Sequence, residues 1–99
     1  MSSGGTDVIE KERVVGPGSG VGGGARVIVL NDHHNTFEGV ASALSRVIPG
    51  VDYGGGMALA TRIHESGKAV VWTGELEVAE LYWQQLRDTG LTMAPIERG

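Results

Sequence analysis

The distribution of glycine constrains this chain more than any other feature. Eight of its 17 glycines fall within the first 24 residues, most of them in the run Gly16 to Gly24. Chain of that composition has more backbone freedom than local contacts can offset, so it serves as flexible linker. Ahead of it, Asp7 to Val15 mixes charges with Val8, Ile9, Val14 and Val15. That segment is too short to hold a helix by itself in water. Residues 1–24 are therefore expected to form a flexible arm and residues 25–99 a single folded domain. Such a domain is small but within the range that folds alone.

Hydrophobic spacing supplies the elements of that domain. Arg26 to Leu30 is a short β-branched run ended by Asn31-Asp32, the pattern of a buried strand meeting a turn. Asn35, with Glu38 three positions on, predicts the capped start of a helix. Phe37, Val40, Ala41, Leu44, Val47 and Ile48 then recur at helical spacing until Pro49-Gly50. A second helix is expected from about Gly56, because Gly54, Gly55 and Gly56 would each cost about 1 kcal/mol relative to alanine inside it. It aligns Met57, Ala60, Ile63 and His64 and ends at Gly67. Lys68 to Thr73 reads as a strand. Glu75 to Thr89 reads as a helix with Val78, Leu81, Tyr82 and Leu86 inward, and Leu91 to Ile96 as a last strand, with Pro95 pointing to a sheet edge. The order is βααβαβ: an α+β domain whose three-stranded antiparallel sheet carries three helices on one face.

Composition excludes whole classes of function. Lys plus Arg is 8 against 12 for Asp plus Glu, a net charge of −4. A nucleic-acid binder needs a basic surface to displace phosphate counterions, so none is expected as a partner. No apolar run approaches the roughly 20 residues of a membrane span, and the first residues lack the basic start and apolar stretch of a secretory signal. There is no cysteine, hence no disulfide framework or thiolate metal site. The expectation is a cytoplasmic monomer without a cofactor.

Chemistry concentrates in Asn31-Asp32-His33-His34-Asn35, between a strand end and a helix start, and in His64. Asp32, His33, His34 and His64 could supply metal ligands, but adjacent histidines point apart in most backbone conformations. Nucleophilic catalysis has less support, since there is no Cys, no Gly-x-Ser-x-Gly elbow and no serine in a triad-like pattern. Ordinary turn chemistry is the plain alternative: Asn and Asp close turns and cap helices by bonding nearby backbone. Phe37, Val40 and Ile63 would then be simple core.

The order of these residues resembles one known family. Val27-Ile28-Val29-Leu30-Asn31-Asp32, Phe37-Glu38-x-Val40, Ile63-His64-x-x-Gly67-Lys68-Ala69 and Glu77-Val78-Ala79-Glu80 together are similar to the ClpS adaptors over roughly residues 26–98. The resemblance implies a non-enzymatic adaptor. Such a protein would bind substrates bearing a free, bulky hydrophobic N-terminal residue (Phe, Leu, Tyr or Trp), the N-degron. It would deliver them to the N-terminal domain of a Clp AAA+ unfoldase of ClpA or ClpC type for degradation. It implies that Asn31, Asp32 and His64 contact the α-amine, and that Phe37, Val40, Ala60 and Ile63 line the side-chain pocket, closed by Thr92 or Leu91. It also implies docking on the unfoldase through the third helix, where Glu77 and Glu80 match the family pattern and Tyr82 stands where Lys is frequent. Many relatives carry a second Asp where this chain has His33, and Met where it has Phe37 and Ala60. Two other readings stay open: a protein-docking module of the same fold without N-degron binding, and a small metal-dependent hydrolase.

Overall fold

The computed structural model describes residues 24–99. The arm expected over residues 1–24 lies, apart from Gly24, outside the described residues. The chain runs through strand β1 (Ala25–Leu30), helix α1 (Phe37–Val47), helix α2 (Tyr53–Ser66), strand β2 (Lys68–Gly74), helix α3 (Leu76–Asp88) and strand β3 (Glu97–Arg98). This is the expected βααβαβ order of an α+β domain. The sheet is antiparallel in the order β2-β1-β3, with β1 central. Among the described residues, no helix is long and apolar enough to cross a membrane.

Alternation along the strands sets which face is buried. Val29 pairs with Ala69, and Val27 with Trp72, and all four side chains belong to the core or pack against it. Between Val27 and Ile28, which pairs with Val70, the register steps by one residue on β1 and two on β2. The extra residue, Val71, is therefore bulged, which lets both Val71 and Trp72 turn inward. The Trp72 ring meets Tyr82 of α3 edge-on at 5.0 Å. Buried residues from all three helices complete one cluster on that face: Val40, Ala43, Leu44, Ala60, Ile63, Ala79 and Leu86.

Several details differ from expectation, each for a physical reason. Thr36, not Asn35, caps α1: its backbone is extended and its hydroxyl accepts the Gly39 N–H at 2.9 Å. The side chain of Asn35 is engaged elsewhere. Helix α2 begins at Tyr53, three residues earlier than expected, with all three glycines helical. Asp52 starts it by accepting the Gly55 N–H at 2.7 Å. Gly56 stays for packing, since a Cβ there would sit 2.6 Å from the Ala41 carbonyl oxygen of α1. Gly67 ends the helix with φ 86°, the left-handed geometry for which glycine has no steric cost.

Leu81, expected inward, is 52% exposed on α3. The helix turns Ala79 and Leu86 to the core, with Tyr82 and Trp83 beside them, which leaves Leu81 outside the buried stripe. The last strand is not the continuous run 91–96. Met93 makes an isolated bridge to Val29, and regular pairing returns only at Glu97–Arg98 opposite Ala25 and Arg26. Pro95 has no N–H to give, so the ladder lapses there. The Trp83 indole N–H donates to the Ala94 carbonyl at 2.7 Å and holds this segment against α3.

Helix contact and helix propensity therefore make opposite demands on neighbouring glycines. Gly56→Ala should destabilise the domain by about 1–3 kcal/mol through overpacking. Gly54→Ala, whose new Cβ would find its nearest atom at 3.7 Å, should be neutral or stabilising by about 0.5 kcal/mol. Thermal denaturation of both variants checks this; melting points that shift together would contradict the packing account.

Candidate functional site

The loop after β1 folds around one carboxylate. Asp32 Oδ1 accepts the backbone N–H groups of His34 (3.0 Å) and Asn35 (2.8 Å). Asp32 Oδ2 accepts the Asn35 side-chain amide and the Thr92 hydroxyl, each at 2.7 Å. Asn35 also donates to the Gly90 carbonyl at 3.0 Å, tying the loop to the turn after α3. Backbone bonds complete the frame: Leu30 N–H to the Thr92 carbonyl (2.8 Å) and Asn31 N–H to the Gly67 carbonyl (2.9 Å). Loop, helix end and C-terminal segment are thus joined at one point.

Burial of Asp32, whose side chain is 12% exposed, pushes its carboxyl pKa upward. The hydrogen bonds from Asn35, Thr92 and His34 outweigh that penalty and hold the group well below the usual carboxylate range. It is a fixed negative charge. Its roughly four lone-pair sites are also filled from within the protein. The His34 imidazole adds an Nδ1 atom 3.8 Å from Oδ1, an ion pair whenever that ring is protonated.

Beside this carboxylate lies a cavity of about 210 Å³. Its lining includes Asn31, Asp32, His64, Phe37, Val40, Ala60, Ile63 and Thr92, every residue assigned by resemblance to the amine site or the pocket. Val29, Leu30, His33, Asn35 and Leu91 line it too. The lining divides by exposure. Val29, Val40, Ala60, Ile63 and Leu91 are buried and form an apolar floor, while Asn31, His33, Phe37 and His64 are exposed and form a rim. At the rim the Phe37 ring leans on the His64 imidazole, with centroids 5.2 Å apart and planes inclined by 59°. The Asn31 carboxamide and the His64 imidazole have no hydrogen-bond partner among the described residues.

Pockets that enclose drug-sized ligands span about 300–1,000 Å³, so this one suits a single side chain better than a cofactor. Among the described residues, no three His, Asp or Glu side chains converge as metal ligands do. Glu77 and Glu80 are exposed on α3 and Tyr82 is half-buried against Trp72; none of the three touches the cavity. Asn35, expected as the cap of α1, instead braces the Asp32 carboxylate. The Asp-x-x-Asn spacing could have signalled an Asx-type turn in place of a cap.

Asp32→Asn keeps the shape of the side chain but sets an amide against two of its donors. It should lower stability by about 1.5–3 kcal/mol near neutral pH. The carboxyl has a lower pKa in the folded chain than in the unfolded one, so its stabilisation is complete above the unfolded value near 3.9 and fades as pH falls below it. Urea denaturation should show the gap between the two proteins narrowing below about pH 4. A constant gap would mean that shape, not charge, holds the loop.

The family profile described as ATP-dependent Clp protease adaptor protein ClpS matches residues 24–94. The ATP-dependent Clp protease adapter protein ClpS of a Nostoc species is 53% identical over 72 residues, 73% of this chain and 74% of that protein. Its counterpart from a Synechocystis species is 51% identical over 73 residues, 74% of each. Among solved structures, Agrobacterium tumefaciens ClpS2 bound to L-phenylalaninamide superposes with a TM-score of 0.73 at 25% identity, covering 80% of this chain and all of that one. The chain belongs to the ClpS family, and it is an adaptor of the Clp protease system, not an enzyme.

Proposed function

We propose that this adaptor binds proteins with a free N-terminal bulky hydrophobic residue and delivers them to a Clp AAA+ unfoldase. The observation that carries the reading is a cavity that combines a buried apolar floor, a polar rim and a fixed carboxylate between them. A free α-amine has a pKa near 7.7–8.0 and is largely an ammonium ion at neutral pH. Asn31 Oδ1 and a neutral His64 nitrogen offer it acceptors not used within the described protein. Asp32 supplies the compensating charge, acting mainly through its field because its oxygens are already occupied. The first side chain enters the floor, where burying a Leu or Phe contributes about 1.5–3 kcal/mol. A charged side chain would find no partner there. The ligand of the Agrobacterium relative, L-phenylalaninamide, has this form: a free α-amine beside a benzyl group.

Delivery is assigned to α3, whose exposed face presents Glu77, Glu80 and Leu81 away from the cavity. The partner would be the N-terminal domain of an unfoldase of ClpA or ClpC type. Tyr82 contributes to that surface through the packing of α3 on Trp72. The protein would act as a cytoplasmic monomer, with residues 1–24 as an extension of the core domain.

Calorimetry with a peptide beginning in Phe should show binding, and acetylating its α-amine should weaken it at least about tenfold, the loss of a charge-assisted hydrogen bond. Equal affinities would overturn the reading. Once the amine is fully protonated, affinity should fall from about pH 7 to about pH 5, because a protonated imidazole has no lone pair left to accept the amine. A flat profile would remove His64 from the amine site.

A further inference from the structure

All three histidines of the chain, His33, His34 and His64, belong to the neighbourhood of this one cavity. The titratable groups that line it are few. The loop after β1 contributes Asp32 and His33 and α2 contributes His64, whereas β1, α1 and the segment Leu91-Thr92 contribute none. His34 stands outside the lining, close to Asp32. The one carboxylate is largely buried and satisfied by four internal donors. The exposed rim therefore carries imidazoles and no acid.

Given the N-terminal recognition argued above, on which this step rests, the cavity is too small for more than the first side chain. The second residue of a bound protein must then lie over the rim. We propose that His33, together with His64, makes the adaptor read the charge of the substrate's second residue, favouring an acidic side chain over a basic one. An acidic side chain there meets N–H donors that gain positive charge as pH falls. A basic side chain meets the same donors; the Asp32 charge is already balanced by the α-ammonium, and its oxygens have no free lone pair to offer. Preference at this position is separate from the amine contact, because it depends on which of two substrates binds better at a given pH and not on how tightly either binds.

The test uses the full chain and fluorescence anisotropy with peptides beginning Phe-Glu, Phe-Ala and Phe-Lys. Phe-Glu should bind about two- to fivefold more tightly than Phe-Lys, the size expected of exposed charge pairs. That ratio should widen between about pH 8 and about pH 6 as imidazoles protonate. His33→Asp should invert the order, and His33→Gln should flatten much of the pH dependence of the ratio while Phe-Ala still binds. An unchanged Glu-to-Lys ratio in His33→Asp, with Phe-Ala binding intact, would overturn the inference and leave N-terminal recognition standing. Failure of Phe-Ala to bind the unaltered protein would instead overturn that recognition, and this inference with it.

Discussion

A single carboxylate holding four hydrogen bonds is the interaction on which the site depends. Asp32 gathers two backbone donors from its own loop, an amide from Asn35 and a hydroxyl from Thr92, sixty residues away. A partly buried charge is costly unless its lone pairs are met, and here they are met by groups from separate segments. The same bonds fix the charge at the cavity and close the cavity wall, since Thr92 belongs to both. Loop stability and the charge at the cavity are therefore drawn from one set of contacts.

The apolar side of the site depends on a second constraint, the approach of α1 to α2. Ala41 and Gly56 leave no room for a Cβ between them, so the helices meet backbone to backbone at that level. Away from that contact, Phe37 and Val40 of α1 share the cavity lining with Ala60, Ile63 and His64 of α2. Glycine at a helix contact costs propensity, and here tight packing offsets that cost.

Much of this was legible in the residue order. The β-branched run before Asn31-Asp32, the helical spacing from Phe37 to Ile48 and the stop at Gly67 are local signals, and the structure follows them closely. What was not legible depends on distance in sequence. Asn35 looks like a helix cap until the Gly90 carbonyl, fifty-five residues on, is brought within reach. The glycines before Met57 look too costly for a helix until Ala41 is placed against Gly56. Leu81 fits an inward stripe until Trp72 and Tyr82 fix the rotation of α3. The residues of the cavity were named by likeness to a family, not by spacing, and only coordinates could show that they share one wall. Glu77, Glu80 and Tyr82 stand apart from it, and no local pattern says what meets them.

Strand β1 also works as a spacer. Its far end opens into the Asp32 loop, while its near end is stitched to the chain terminus by the Gly99 N–H on the Gly24 carbonyl at 3.0 Å. Six extended residues separate the two ends, about 20 Å. Gly24 thus lies at the pole of the sheet opposite the Asp32 loop and the cavity beside it. A change at the Gly24–Gly99 closure therefore acts a strand's length from the cavity and leaves its lining untouched.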